Sequence, residues 1–266
     1  VERGDAMVFA AGGDGTLNEV ANGLAGSETV LAPLPLGTAN VLAKELGIPM
    51  RTFLNDAWLL QVSKLLVDGR VQRMDLGQCD DGRYWLLWAS AGLDGFLIEQ
   101  IEPRSRWFKR FGMPGYAAKF LIGLPKASSI EAELWVDDKH VSGEYLMINV
   151  SNCRLYAGGE VKLNTHGVLD DGAFEVFAFE GKGLARVVEH SVKVGMQAHH
   201  YDSKIRVFSG SRVRIETKVP VPYHLDAEPA GNTPLAATLI PGALRILAPN
   251  TGQDLFSLPG RALSDL

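Results

Sequence analysis

Apolar and polar positions follow one rhythm over roughly the first 65 residues and another beyond them. Ala6–Ala11 is a continuous apolar run of the kind that forms a buried strand, and it leads into Gly12-Gly13-Asp14-Gly15-Thr16. Leu17, Val20, Ala21 and Leu24 then recur at helical spacing, with Gly26 placed to stop the helix. Val30–Leu34 predicts a second short strand. Pro35–Asn40 (PLGTAN) follows, and Val41, Leu42 and Leu46 predict a helix closed by Gly47 and Pro49. A third amphipathic helix is predicted over 53–67. A strand–turn–helix unit used twice is the pattern of an α/β sheet.

Beyond Gly69, strands and turn signals dominate. Residues 84–91, 130–137, 143–151, 173–179, 212–217, 223–228 and 243–249 read as strands, and helical patterns interrupt only at 114–124 and 183–199. The prediction is an α/β unit over 1–69, a mostly antiparallel β-sandwich over 70–249, and a tail, 250–266, that packs back on the first unit. In 223–228 (YHLDAE) the two-residue period of a strand places Tyr223, Leu225 and Ala227 on one face. His224, Asp226 and Glu228 then share the other, an unusual set for a core.

Composition narrows the functional classes. With 266 residues, 46% hydrophobic and 21% charged, the chain can bury a core and is neither disordered nor fibrous. A net charge of −5 removes the general electrostatic case for nucleic acid, so an anionic partner has to be met by a local patch. The two cysteines, Cys79 and Cys153, fit no CxxC pattern and read as inert filler in a reducing compartment. No apolar run approaches the ~18 residues that a membrane-spanning helix needs.

The chemistry concentrates in the two glycine turns. Gly12, Gly13 and Gly15 let backbone approach an anion, and the helix starting at Thr16 aims its free N–H groups at the same place. Gly37, Thr38 and Asn40 repeat the device at the second strand-to-helix turn, so the pair suits a polyphosphate. Asp14 is the sharper signal. A carboxylate inside an anion-binding turn calls for a divalent cation or for a proton arriving from an acceptor hydroxyl. The alternative is a tight turn in which Asp serves turn chemistry. Neither G-x-x-x-x-G-K-[ST] nor G-x-G-x-x-G is present. Arg104–Phe111 (RSRWFKRF) interleaves basic and aromatic residues, as a segment docking on anionic headgroups does.

These motifs resemble the diacylglycerol kinase catalytic-domain family, which includes bacterial lipid kinases, sphingosine kinases and ceramide kinases. The likeness runs through GGDGTLNEVANGL (12–24), PLGTANVLAKELGIP (35–49), WASAGLDG (88–95), RFGMPGY (110–116), INVSN (148–152), VLDDGAFEV (168–176) and LDAEP (225–229). It implies an α/β nucleotide-binding domain followed by an antiparallel β-sandwich lipid-binding domain. It also implies ATP- and Mg²⁺-dependent phosphoryl transfer to a lipid hydroxyl, with the enzyme cytoplasmic and peripheral at the inner membrane surface. By resemblance, Gly12, Gly13, Gly15, Thr16, Gly37, Thr38 and Asn40 hold nucleotide. Asp14 organises the catalytic Mg²⁺ through water, and Asp226 and Glu228 form the acidic pair, with Glu228 as general base. Asp171, with the carbonyls of Val168 and Ala173, takes a structural cation, and Asp94 sits at the acceptor side of the cleft.

The chain departs from the family pattern at three places. The family's Asn-Pro stretch upstream of GGDGT is absent, and GGDGT begins about ten residues after Val1, which predicts an α/β unit lacking its first strands. Ala227 stands where Gly is usual, making a left-handed kink harder to reach. Val41 stands where many relatives carry Asp. An NAD kinase also uses GGDG, but its Asn-Asp and Thr-Pro-Thr-Gly-Ser signatures are missing. A lipid-binding protein without turnover is the remaining alternative.

Overall fold

Two apolar strands, each turning through glycines into a helix, open the chain as the pattern predicts. The structure, a computed structural model, describes residues 4–52, 57–101 and 129–263. β1 (Met7–Gly12) pairs in parallel with β2 (Val30–Pro35), and α1 (Asp14–Leu24) buries Leu17, Ala21 and Leu24 against them. Gly26 takes φ +74° just past the end of α1. α2 is short, Val41–Glu45, and α3 spans Trp58–Val67, burying Trp58, Val62 and Leu66. The front of the third predicted helix, 53–56, lies outside the described residues.

The sandwich strands follow: β3 (Arg70–Cys79), β4 (Tyr84–Trp85), β5 (Trp88–Gly92), then α4 (Leu93–Ile101), β6 (Ile130–Val136) and β7 (Lys139–Ser151). The short β8 (Leu155–Tyr156) and β9 (Val161–Lys162) form a ribbon of their own. After it come β10 (Phe174–Glu180), α5 (Gly183–Gly195), β11 (Ile205–Gly210), β12 (Arg212–Thr217), β13 (Pro222–Leu225), β14 (Glu228–Asn232), β15 (Leu235–Ala248) and β16 (Arg261–Ala262).

β15 joins the two halves. Its first part pairs with β12, and its second part pairs in parallel with β2 through Arg245 and Ile246. Along its length it also runs antiparallel to β3, with a bulge between Ile240 and Leu244. The α/β strands and the sandwich strands therefore belong to one sheet, which runs from β1 through β2, β15, β12, β6, β7, β5 and β13 to β14. One core lies under the helices of the α/β unit and takes in Leu244, Ile246, Leu247, Leu255 and Phe256. A second fills the sandwich, where Trp85 stacks on Phe174 at 4.9 Å and Gly77 leaves room for the indole. A third joins α4 to α5 through Leu93, Leu97, Phe177 and Val187. β16 pairs with β3.

The strand pattern needs two corrections. Residues 84–91 do not form one strand: β4 and β5 are separated at Leu86 and Leu87, whose amides point at a side chain rather than at a neighbouring strand. Residues 223–228 are not one strand either. β13 ends at Leu225 and β14 begins at Glu228, with Asp226 (φ +49°) and Ala227 (φ +63°) as the loop of a hairpin. Two left-handed residues are what the tightest hairpin loop requires. Ala227 thus adopts the kink that its Cβ disfavours. β3 and β11 are not marked by the strand pattern, and β3 buries the polar Gln72 and Asp75. Cys79 and Cys153 are free and buried, and burial pushes the Cys79 thiol up to about 12. The helix expected at 114–124 and the Arg104–Phe111 segment lie outside the described residues.

Glu175 on β10 makes the stability of the sandwich depend on pH. Burial, then repulsion from Asp171, push its carboxyl from 4.5 up to about 7, against a hydrogen bond donated by the Asn164 amide. The folded chain then holds a proton that the unfolded chain has released, so this group's contribution falls as pH rises from about 4.5 to 7. Glu175→Gln is expected to flatten that fall in urea denaturation. At pH 8 the variant should exceed the parent by about 1–2 kcal/mol, after allowance for partial exposure.

Candidate functional site

The two glycine turns pack backbone to backbone. A Cβ on Gly37 would stand 2.3 Å from the Gly13 Cα, so that position requires glycine, and one on Gly13 would sit tightly at 3.2 Å from the Gly37 Cα. The amides of Leu36 and Gly37 donate to the Gly12 carbonyl at 2.9 and 3.2 Å. Asn40, left-handed at φ +50°, closes the second turn: its Oδ1 accepts the Gly37 amide and its Nδ2 donates to the Gly37 carbonyl, both at 2.8 Å. Asn40 is buried and shapes the turn, whereas Gly37 and Thr38 are exposed, as is Thr16 across from them. The N-cap of α1 is Gly13, which offers no capping side chain, so the helix starts directly at the two turns.

Asp14 opens α1 and leans toward α2. Its Oδ1 accepts the Leu42 amide at 3.1 Å. Burial raises its pKa, with the Val41 and Leu42 amides and the Lys44 charge pulling the other way. A carboxyl half-desolvated at the edge of an anion-binding mouth suits a hydrated divalent cation, which offsets the same desolvation.

The β13–β14 hairpin brings Glu228, but not Asp226, to this mouth. An ideal Cβ on Gly15 would lie 2.5 Å from Glu228 Oε1, so the glutamate carboxylate rests on the backbone of α1, one residue from Asp14. Asp226 faces the other way, into the protein. Its Oδ2 accepts the Leu86 amide at 2.7 Å and the Asn18 side-chain amide at 2.6 Å, and its Oδ1 accepts the amides of Leu87 and Trp88 at 2.8 and 3.0 Å. Its own N–H donates to the Trp88 carbonyl at 2.9 Å. Burial lifts the Asp226 carboxyl above its ordinary range, opposed by these N–H groups. The expected common face of His224, Asp226 and Glu228 is therefore absent, because the hairpin loop turns Asp226 inward and Glu228 outward.

Asp94 lies in the first turn of α4, which packs on β13 because Gly95 has no Cβ to meet the Pro222 carbonyl. The Asp94 carboxylate accepts a hydrogen bond from His224 Nε2 at 2.8 Å and another from the Tyr156 hydroxyl. Burial would raise its pKa, but the hydrogen bonds from His224, Tyr156 and Ser90 together hold it below the usual carboxylate range.

The third acidic group stands apart, around the 170–172 turn. Asp171 accepts the Ala173 amide at 3.1 Å, while buried Asp75 accepts the amides of Gly172 and Gly242 at 2.8 and 2.7 Å. Burial raises both Asp75 and Asp171, and Asp170 adds repulsion to each. Among the described residues no three metal-ligating side chains converge. A cation at Asp171 would draw its other ligands from carbonyls, such as those of Val168 and Ala173, and from water. Hard oxygen donors of this kind fit Mg²⁺ or Ca²⁺.

Asn18 and Asn22 were not singled out from the sequence. Asn18 reaches Asp226, and Asn22 exchanges hydrogen bonds with the Tyr84 backbone, donating to its carbonyl at 2.9 Å and accepting its amide at 2.8 Å. Their four-residue spacing on α1, beside the apolar stripe, is the signal that marks them. Tyr156 carried no such signal.

Comparisons with known proteins show what the chain is similar to. Residues 1–79 match the diacylglycerol kinase catalytic domain, and residues 88–248 match the YegS C-terminal NAD kinase beta sandwich-like domain. The chain is 29% identical over 230 residues to a protein of Bacillus subtilis named "Diacylglycerol kinase", covering 86% of this chain and 73% of that one. It is 27% identical over 254 residues to a Cronobacter sakazakii protein named "Probable lipid kinase YegS-like", covering 93% and 80%. A solved structure from Bacillus anthracis shares the fold with a TM-score of 0.73 at 20% identity, covering 92% of this chain and 77% of that one.

Two substitutions test the hairpin. Asp226→Asn keeps the shape but turns one acceptor into a donor facing buried N–H groups. It is expected to cost about 3 kcal/mol in chemical denaturation. Ala227→Gly removes the left-handed penalty and is expected to add about 1 kcal/mol, raising Tm by about 2–4 °C.

Proposed function

The chain belongs to the kinase family that joins a diacylglycerol kinase catalytic domain to a YegS-type sandwich domain, and from that premise we propose that it transfers the γ-phosphoryl group of ATP to a lipid hydroxyl. The observation that carries this reading is the Glu228 carboxylate resting on Gly15 of the GGDGT turn. A group that removes a proton from an acceptor has to stand beside the phosphoryl group that the acceptor attacks.

In this reading the nucleotide phosphates lie in the mouth of the two turns, against the first N–H groups of α1 and the exposed Gly37 and Thr38. Asp14 would hold Mg²⁺ through water, and the ion would supply charge neutralisation at the phosphates. The acceptor hydroxyl oxygen forms a bond to the γ-phosphorus, its proton passes to a Glu228 oxygen, and the bond to the bridging oxygen breaks to release ADP. Asp226 positions Glu228 rather than touching the acceptor. Asp94 borders the acceptor side, and Asp171 holds a structural cation. The substrate's apolar part approaches from the sandwich side, with the protein peripheral at a membrane surface. No helix among the described residues is long and apolar enough to cross a membrane.

The test is incubation with γ-labelled ATP and Mg²⁺ in the presence of diacylglycerol, sphingosine or ceramide micelles, and separately of NAD. Label is expected in a lipid. Glu228→Gln is expected to lower kcat by about 10²–10⁴ with ATP binding unchanged. Label in NADP, no label at all, or a Glu228→Gln variant at full rate would each overturn the assignment.

A further inference from the structure

His224 is 2% exposed and lies behind the hairpin loop, out of reach of a substrate. Its two ring nitrogens face different partners. Nδ1 stands 3.2 Å from the Ala227 amide nitrogen, and Nε2 stands 2.8 Å from Asp94 Oδ2. A backbone N–H can only donate, so Nδ1 is the acceptor and the ring proton is on Nε2, pointing at the carboxylate. The ring therefore ties α4 to Ala227, whose left-handed φ its own Cβ disfavours. Glu228 is the next residue.

Asp94 is held in turn from the nucleotide side. The Tyr156 hydroxyl donates to it, and the chain on either side of Tyr156 is bound to α2. The Leu155 amide donates to Glu45 at 2.8 Å, and Lys44 Nζ donates to the Gly158 carbonyl at 2.7 Å. One run of hydrogen bonds thus leads from the helix after the second glycine turn, through Tyr156, Asp94 and His224, to the Ala227 amide.

We propose that His224 is a positioning residue for phosphoryl transfer: with Asp94 fixing its tautomer, it holds the Ala227 amide and so sets where Glu228 stands over Gly15. This rests on the reading of Glu228 as the base. It differs from a lipid contact, which would be read in the KM for the acceptor. It also differs from general core packing, which would not distinguish the two ring nitrogens.

The two nitrogens can be replaced separately. His224→Asn keeps an acceptor near Nδ1, and His224→Gln keeps a donor near Nε2. With ATP, Mg²⁺ and diacylglycerol micelles, His224→Gln is expected to lower kcat by about 10–100-fold, with KM for ATP and diacylglycerol changed less than about threefold. His224→Asn is expected to recover most of that loss. Equal losses in both variants, or a loss confined to the KM for diacylglycerol, would overturn the proposal. A second measurement needs no turnover: ¹⁵N NMR of the wild-type chain should show His224 protonated on Nε2 alone, and a proton on Nδ1 would refute the tie to Ala227. A wild-type protein without lipid kinase activity would instead sink the functional reading and leave the tautomer to decide the hairpin claim.

Discussion

The Asp226 carboxylate is the interaction on which the rest of the site depends. It is buried, and four N–H donors from two separate segments converge on its two oxygens: Asn18 on α1, and the amides of Leu86, Leu87 and Trp88. This explains why one apolar run becomes two strands, since amides committed to a carboxylate leave the sheet ladder. It also explains why the hairpin loop is left-handed at both residues: only a tight loop directs Asp226 inward and returns Glu228 to the α1 side within two positions. The acid lacks a cationic partner among its described contacts, so its charge is met by N–H dipoles alone, and removing any of them exposes a buried charge.

Around that anchor the two halves of the chain cannot be placed independently. β15 runs through both, pairing with β2 at one end and β12 at the other, and the core beneath α1 includes residues from after β15. The rigidity matters for chemistry. Phosphoryl transfer depends on position and charge more than on covalent assistance. A mouth of N–H groups on one half and a carboxylate on the other act together only if their separation is held to a fraction of an ångström. The continuous sheet, the Asp226 anchor and the Tyr156–Asp94–His224 run supply that constraint from three directions.

Much of this was legible in the sequence where periodicity and glycine carry the signal. The strand–glycine–helix units, the stripe of Leu17, Ala21 and Leu24, and the sandwich grammar after Gly69 follow from local rules. The hairpin at Asp226 did not, because alternation in YHLDAE mimics a strand and Ala227 hides the loop that a glycine would have announced. Asn18 and Tyr156, and the partners of His224, were obscure for a different reason. Their importance lies in hydrogen bonds to residues 62 to 208 positions away, which no window of the sequence contains. The glycines were read as phosphate contacts alone. In the structure Gly13 also seats the second turn and Gly15 also makes room for Glu228.

The central claim is that Glu228 works from its place on Gly15, and a single methyl group tests it most directly. Gly15→Ala introduces a Cβ where Glu228 Oε1 now rests, and the end of a flexible side chain moves aside without unfolding the helix. For lipid phosphorylation kcat is expected to fall by at least about tenfold, with Tm within about 2 °C of the parent. The same substitution is expected to have little further effect in a Glu228→Gln background, because the two changes remove one interaction. Full turnover in Gly15→Ala, or independent losses that multiply in the double variant, would contradict it.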